Sequence, residues 1–120
     1  MASLRVMIVE DEPLIAMALE MLVQDEDGGG VVGPFATVAE AMAAVDGALR
    51  IDVAMLDCNL GKEQVWPVAD ALARRGVPFG FTSGQGARDI PQRFASAEVL
   101  VKPVPDEMVR RFIRRFSTPT

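Results

Sequence analysis

The chain has 120 residues, of which half are hydrophobic and 24% are charged, and its formal net charge is −5. This composition is typical of one globular domain that is long enough to bury a core and too short to be two domains. Histidine and tyrosine are absent, which excludes Ser/His/Asp and Cys/His triads and every zinc site that uses histidine.

The first half of the chain predicts two strands and two helices. A short strand at 4–9, rich in branched side chains, precedes a run of good helix formers at 13–24, where Pro13 occupies the first turn and its missing N–H costs little. The run DEDGGG at 25–30 predicts a stop and a loop, and VVGPF a second strand at 31–35. Thr37, with Glu40 three residues later, predicts a capping box that starts a helix to about residue 49.

The second half continues the alternation of strand and helix. The apolar run DVAML at 52–56 predicts a third strand that delivers Asp57 to a polar turn ending in glycine. The remaining predicted elements are a loop at 59–64, a helix at about 64–75 that Gly76 ends, a strand at 77–82, a loop at 83–89, a weak helix at 89–96 that Pro91 interrupts, a strand at 98–101 and a helix from 105 to about 116.

The last predicted helix is amphipathic. Its apolar stripe consists of Met108, Val109, Phe112, Ile113 and Phe116, and its opposite face of Arg110, Arg111, Arg114 and Arg115. This period predicts one face in the core and one in solvent. The arginine face is either a solvated surface or a contact surface for another protein, including a second copy of this chain.

Five strands alternating with five helices predict an α/β fold. Alternation of this kind favours a five-stranded parallel sheet, doubly wound, with helices on both faces and right-handed crossovers. We expect a single domain over 1–120, with its functional site beyond the carboxyl ends of the strands.

Polar residues follow four of the five predicted strands. They are Glu10, Asp11 and Glu12 after the first strand, Asp57, Cys58 and Asn59 at the third, Thr82, Ser83 and Gly84 at the fourth, and Lys102 and Pro103 after the fifth. Each has an ordinary explanation alone, such as a helix cap, a turn residue or a solvated lysine. Together, three carboxylates at one edge would repel one another and raise one another's pKa. Mg²⁺, which prefers oxygen ligands, would remove that cost, and Lys102 would offset part of it.

These residues carry a resemblance to a known family. VEDE at 9–12, Asp57, Ser83-Gly84 and Lys102-Pro103 resemble the receiver domain of two-component response regulators, over essentially the whole chain. The stretches FTSGQG at 81–86 and VWPVADAL at 65–72 are similar to a subgroup of stand-alone receivers of the alphaproteobacterial type.

The resemblance implies a function and a role for each site residue. The chain would accept a phosphoryl group on Asp57 from a histidine kinase or phosphotransfer protein. It would catalyse only its own phosphorylation and dephosphorylation. Glu10, Asp11, Asp57 and the backbone carbonyl of Asn59 would hold Mg²⁺. Ser83 would be the switch hydroxyl and Lys102 would pair with the phosphoryl group. An alignment shifted by one residue makes Thr82 the switch instead.

Three positions depart from the family pattern, and one of them is Ser83, which stands where the subgroup has threonine. Val99 stands where many receivers have an aromatic residue that turns inward on activation, so that mechanism is not carried over. Gln85 is polar where the subgroup has an apolar residue. Gly80, Gly84 and Gly86 make the neighbouring segment permissive. The switch is therefore hypothesised to be an ordering of this loop and of 89–96. Asn59 and Gln85, each two places after a key residue, are either loop polars or neighbours of the phosphoryl group that set its lifetime.

The first helix predicts a partner surface. Ile15, Ala18, Leu19, Leu22 and Val23 form a core stripe, and Leu14, Met17 and Met21 form a second stripe that the resemblance turns outward. Methionines suit adaptable surfaces, so the second stripe is a candidate dock for the helical pair of a kinase. The alternative is that these side chains pack loosely on neighbouring loops.

The setting and further partners follow from composition. The single cysteine suits a reducing cytosol, so we expect a cytoplasmic protein. No apolar stretch approaches the roughly 20 residues that span a bilayer, and no signal peptide is evident, so we expect no membrane partner. Residues 1–70 carry 13 acidic and 3 basic residues, and residues 71–120 carry 4 and 9. This asymmetry indicates either two solvated faces or two partners, and the acidic total argues against nucleic acid.

Two other functions compete with the phosphoacceptor. A receiver-like binding module that is not phosphorylated is kept open by Val99 and Gln85. A magnesium phosphatase of the haloacid dehalogenase type also uses an aspartate at a strand end, but it needs a second acid where Asn59 stands, and no cap domain is present. With no output domain in 1–120, we expect signalling through contacts with a downstream protein or by passing the phosphate onward.

Overall fold

A computed structural model describes residues 4–27, 29–47 and 49–117. Its strands are β1 (Arg5–Val9), β2 (Gly30–Phe35), β3 (Val53–Asp57), β4 (Asn59–Leu60), β5 (Glu63–Gln64), β6 (Phe79–Ser83) and β7 (Glu98–Val101). Its α-helices are α1 (Pro13–Asp27), α2 (Val38–Asp46), α3 (Trp66–Arg74) and α4 (Asp106–Arg114), and Gln92–Phe94 forms a single 3₁₀ turn. None of the described helices is long and apolar enough to cross a membrane.

Five of the strands form one parallel sheet in the order β2-β1-β3-β6-β7. Side chains alternate between its two faces, because successive residues of a strand point in opposite directions. In β1, Val6 and Ile8 face the layer that contains α1 and α4, whereas Met7 and Val9 face the layer of α2 and α3. The predicted five-stranded, doubly wound α/β fold is confirmed.

Packing explains one glycine inside the sheet. Gly80 lies in β6, and a Cβ atom there would approach the Phe112 ring of α4 to 2.7 Å. Glycine at this position therefore lets α4 lie close to the sheet, and its role is packing rather than the backbone freedom expected from the sequence. Gly86, in the following loop, has φ +65°, a conformation that favours glycine.

The predicted helix at 89–96 is wrong. Turns occupy 84–89, and only Gln92–Phe94 forms a 3₁₀ turn, so the described residues contain four α-helices and not five. Pro91 explains the difference, because it has no N–H to donate and disfavours the helical region for the preceding residue, Ile90. The backbone of Pro91, with φ −56° and ψ 146°, is itself not helical.

Several boundaries differ from the sequence-based expectation. Helix α1 continues through the predicted stop to Asp27, because carboxylates in its last turn pair with arginines of α4. The predicted cap of α2 is confirmed, with the Thr37 hydroxyl accepting from the Glu40 N–H at 3.1 Å. That helix ends early, at Asp46. The predicted loop at 59–64 contains the small antiparallel pair β4–β5.

The two amphipathic helices are mostly oriented as predicted. In α4, Val109, Phe112 and Ile113 are buried, and Met108 at the edge of the stripe is exposed. In α1, the prediction that Ala18 lies in the core is wrong, since it is exposed and Ala16 is buried instead. Ala16 lies three residues before buried Leu19, which puts both on one side of the helix.

Candidate functional site

Three carboxylates meet at the carboxyl edge of the sheet. Glu10 directly follows β1, Asp11 comes next, and Asp57 is the last residue of the neighbouring strand β3. Each offers one carboxylate oxygen, and these three oxygens lie within 4.8 Å of one another. Glu10 and Asp57 are only 3% and 6% exposed. The cluster is open to solvent on the side of Asp11, which is half-buried.

Lys102 joins this cluster from the end of β7, the strand at one edge of the sheet. Its Nζ donates to Asp57 Oδ2 at 3.0 Å and to Glu10 Oε1 at 3.2 Å. Lys102 follows β7, whereas its partners lie on β3 and just after β1, so its side chain crosses the end of β6. One ammonium group thus balances two buried carboxylates only in part. The Lys102–Pro103 peptide bond is cis.

Backbone N–H groups orient the three acids. The N–H of Glu12 donates to Glu10 Oε2 at 3.1 Å, and that of Asn59 donates to Asp57 Oδ1 at 3.3 Å. The N–H of Gly61 donates to Asp11 Oδ2 at 2.9 Å. Gly61 has φ +63°, so the turn that aims this N–H requires a residue that tolerates the left-handed region. The sequence-based reasoning missed Gly61, although the Leu60-Gly61 turn after Asp57 was visible in the sequence.

Burial dominates the electrostatics of the cluster. Burial raises the pKa of Glu10 to about 7, and the Asp57 charge adds to this effect, while the Glu12 N–H and Lys102 oppose it. Burial would lower the pKa of Lys102, but hydrogen bonds and charges from Asp57 and Glu10 outweigh burial and raise it. Lys102 therefore stays charged at neutral pH, and Glu10 carries a proton in a substantial fraction of molecules.

The donor set fits a hard divalent cation. Three carboxylate oxygens within 4.8 Å, two of them on buried residues, form a cluster that could hold a metal ion. A cation would stabilise the charged form of Glu10, which burial and the Asp57 charge disfavour. Mg²⁺ is commonly bound by one or two carboxylates with water and phosphate oxygens, and this cluster could provide the carboxylates.

The two candidate switch hydroxyls have different surroundings. The Ser83 hydroxyl accepts a hydrogen bond from the Gln85 N–H at 3.0 Å. Thr82 is paired with Asp57 in the register of β3 and β6, and its buried hydroxyl has no hydrogen-bond partner. Burial, followed by the Asp57 charge, raises the pKa of Cys58 to about 11, so this thiol stays protonated and is a poor nucleophile at neutral pH.

The predicted partner stripe of α1 is exposed. Leu14, Met17 and Met21 are 78%, 54% and 62% exposed. Beside them, a mostly apolar groove of about 520 Å³ runs between α1 and the β7–α4 connection. Its apolar wall includes Ala18, and its floor includes Thr82 and Lys102. Sequence-based reasoning did not identify this groove, because it depends on how α1 packs beside residues far along the chain.

Comparison with known proteins gives relatives among solved structures. No protein-family model matches the sequence, and no curated protein matches it. SdrG from Sphingomonas melonis Fr1 is 43% identical, with 94% of this chain and 95% of that chain covered and a TM-score of 0.78. A second structure, of the BeF3-activated conformation of SdrG, is 44% identical, with 95% and 97% covered and a TM-score of 0.74.

Two further structures extend the comparison. The receiver (REC) domain of the PhyR response regulator from Erythrobacter litoralis is 31% identical, with 99% of this chain and 96% of that chain covered and a TM-score of 0.78. The receiver domain of the sensor histidine kinase PA1611 from Pseudomonas aeruginosa PAO1, at 20% identity, shares the fold, with 96% and 98% covered and a TM-score of 0.78. That structure has a magnesium ion coordinated in its active-site cleft.

Proposed function

Because this chain belongs to the receiver domains of response regulators and resembles their single-domain, alphaproteobacterial type, we propose that Asp57 accepts a phosphoryl group in a magnesium-dependent phosphorelay. The donor is a histidine kinase or a histidine phosphotransfer protein. The chain is a regulatory protein and not an enzyme that turns over an external substrate. One observation carries the proposal: the buried Asp57 carboxylate pairs with the Lys102 ammonium group and clusters with two further carboxylates, those of Glu10 and Asp11.

Asp57 acts as the nucleophile. One of its carboxylate oxygens attacks phosphorus, an O–P bond forms, and the P–N bond of the phosphohistidine breaks. The imidazole leaves with the bonding electron pair and takes a proton from water. Phosphoryl transfer needs mainly in-line positioning and neutralisation of charge. The Asn59 N–H and the Lys102 ammonium already hold the Asp57 carboxylate in one orientation.

Glu10, Asp11, Asp57 and the backbone carbonyl of Asn59 would hold Mg²⁺. The bound cation would neutralise charge on the phosphoryl oxygens. The raised pKa of Glu10 supports this assignment, because burial and the Asp57 charge disfavour its charged form and a cation would stabilise that form. The PA1611 receiver domain, which shares this fold, has a magnesium ion coordinated in its active-site cleft.

The added group changes the charge beside Ser83. A phosphoryl group brings about −1.5 to −2 charges and several acceptor oxygens. Ser83, which accepts from the Gln85 N–H in the unmodified protein, turns to donate to one of these oxygens, and the turns at 84–89 rearrange with it. The chain then promotes its own dephosphorylation. The exposed side chains of Asn59 and Gln85 influence the approach of water, so changing either alters the lifetime of the phosphorylated form without preventing phosphorylation.

The kinase or phosphotransfer protein docks on the exposed stripe of Leu14, Met17 and Met21 and on the adjoining groove. A helical pair would cover these side chains and bring its phosphohistidine to Asp57. A cytoplasmic location is part of the proposal, since Cys58 is a free thiol. The output is contact with a downstream protein or a second copy of this chain.

Docking predicts a difference between two kinds of phosphodonor. Met17→Glu places a charge in the stripe, so phosphorylation by a partner kinase is expected to slow by about tenfold or more. Phosphorylation by a small acyl phosphate is expected to be unchanged. Met108→Glu, at an exposed methionine of α4, is the matched control. Equal rates for both variants with the kinase would refute docking on this stripe.

The proposed function itself is tested by intact-mass spectrometry. The native protein and Asp57→Asn are incubated with acetyl phosphate, with Mg²⁺ or with a chelator. We expect one phosphoryl adduct that requires both Mg²⁺ and Asp57. If a control receiver is labelled and this protein is not, the chain is a receiver-like binding module that is not phosphorylated.

A further inference from the structure

Thr82 lies beside the acceptor carboxylate. Its Cα atom is paired with that of Asp57 in the parallel register of β3 and β6, and paired residues of neighbouring strands project to the same face of a sheet. Lys102 reaches Asp57 by crossing the end of β6, and Thr82 and Lys102 line the same groove. The Thr82 side chain therefore lies between the strand of the nucleophile and the strand of its lysine.

The Thr82 hydroxyl is unsatisfied. Thr82 is 3% exposed, and its Oγ1 has no hydrogen-bond partner. Buried polar side-chain atoms almost always have a partner, and an unmade hydrogen bond lowers stability. Valine has the same shape and would avoid this cost. The neighbouring hydroxyl of Ser83 has, by contrast, a partner, the Gln85 N–H.

We propose that Thr82 is a second hydroxyl that binds the phosphoryl group on Asp57. Its Oγ1 donates a hydrogen bond to a phosphoryl oxygen that exists only after transfer. The Ser83 oxygen is already held by the Gln85 N–H, whereas the Thr82 hydroxyl has no hydrogen bond that holds it elsewhere. The inference rests on the proposed function of Asp57 and adds a residue to it.

Beryllofluoride, a mimic of the phosphoryl group, is the probe. Its affinity is measured by titration in Mg²⁺ for the native protein, Thr82→Val, Thr82→Ser and Ser83→Ala. Because a hydrogen bond to a charged acceptor is worth more than a neutral one, we expect binding to Thr82→Val to weaken by about tenfold. Thr82→Ser keeps the hydroxyl and is expected to bind within about twofold of the native protein, by the same reasoning. Affinity of Thr82→Val equal to native would overturn the inference.

Two further measurements separate the possible failures. Thr82→Val is expected to unfold at the native temperature or above, because valine removes an unpaired polar group and keeps the shape of the side chain. Loss of affinity together with native stability identifies a ligand contact and not a packing defect.

Native protein and Asp57→Asn are treated with acetyl phosphate in parallel. No adduct on native protein overturns the function of Asp57 and this inference together. An adduct on native protein, with unchanged beryllofluoride affinity in Thr82→Val, overturns the role of Thr82 alone.

Discussion

Two clusters of ion pairs in this molecule use the same chemistry in different surroundings. At the carboxyl edge of the sheet, Lys102 pairs with Asp57 and Glu10, and both carboxylates are buried. Between α1 and α4, Arg110 pairs with Asp25 and Glu26, and Arg114 pairs with Glu26. Here Arg114 and Asp25 keep 51% and 71% of their side-chain surface exposed.

The two glutamates respond in opposite directions. Burial raises the pKa of Glu10 to about 7 although a lysine lies beside it. The hydrogen bond from Arg114, together with its charge and the contacts of Arg110, lowers the pKa of Glu26. Access to water accounts for the difference, because the loss of solvation on burial destabilises the Glu10 carboxylate more than its single lysine partner stabilises it. The charged form of Glu10 is therefore destabilised in the edge cluster, and a bound cation can stabilise it. In the α1–α4 cluster, the arginines already stabilise the charged form of Glu26.

The comparison also explains much of the charge asymmetry along the chain. The acidic first half and the basic second half pair with each other on the surface of the molecule, where α4 arginines pair with acids of α1 and Arg93 pairs with Asp70. Separate partners are not needed to explain these charges.

Among the substitutions, the one with the largest expected loss of stability distinguishes the two clusters directly. Lys102→Met leaves two buried carboxylates without their cation, so in metal-free buffer at pH 8 we expect the free energy of unfolding to fall by about 2 kcal/mol, below the value for a fully buried pair because Lys102 is partly exposed. Arg114→Met is expected to have a much smaller effect, since solvent screens its pairs. Urea denaturation measures both. Similar losses in the two variants would show that burial does not distinguish the clusters.

The pH dependence of stability provides the second test. The pKa of Glu10 is about 7 in the folded protein and near 4.5 in the unfolded chain, so between these values the folded state binds a proton that the unfolded state releases. Stability without metal should therefore fall as pH rises from about 4.5 through 7, by up to about 3 kcal/mol. Chemical denaturation over this range, without metal and with Mg²⁺, measures the slope. Mg²⁺ is expected to flatten it.

Matched variants connect each slope to one cluster. Glu10→Gln removes the titrating group and should abolish the fall in stability between pH 4.5 and 7. The pKa of Glu26 is lowered in the folded protein, so its contribution is present above its ordinary pKa and is lost as pH falls through the folded value. Glu26→Gln should therefore lower stability by a constant amount above the ordinary pKa and change the slope of the profile only at its acid end. A fall above pH 4.5 that persists in Glu10→Gln would exclude Glu10 as its source.

Local pattern and topology were enough to predict most of the candidate site. The strand runs and the alternation of elements predicted a parallel sheet, and the ends of parallel strands share one edge. Glu10, Asp57 and Lys102 therefore could be grouped without coordinates, although Lys102 is 92 residues from Glu10 in sequence.

Features that depend on distant packing could not be predicted in this way. Helix α1 extends to Asp27 because of pairs with α4 residues about 85 positions away. The Thr82 hydroxyl has no hydrogen-bond partner because the register of β6 places it where no donor or acceptor lies within reach. The residues next to Thr82 in sequence do not determine this arrangement. The absence of a helix at 89–96 has a local cause, since Pro91 disfavours the helical conformation of the residue before it.

The smallest expected effect concerns this same segment, which lies between β6 and β7. Arg93 holds its 3₁₀ turn to α3 through two hydrogen bonds of 3.0 Å to Asp70, and it also lies over the Phe94 ring. Because exposed pairs contribute little to global stability, Arg93→Ala should leave the unfolding free energy nearly unchanged while loosening this segment. Arg88→Ala, at an exposed arginine in the turns before it, is the control.

Amide NMR signals of residues 84–97 measure the effect. If the switch is an ordering of this segment, its signals are exchange-broadened in the unmodified protein and sharpen when beryllofluoride binds in the presence of Mg²⁺. Arg93→Ala should broaden them further before activation, because the tether to Asp70 is lost, and Arg88→Ala should not. Sharp signals in both states of the native protein would contradict the switch. In that case the activated molecule would differ from the resting one mainly in charge, at the edge where Asp57, Glu10 and Lys102 meet.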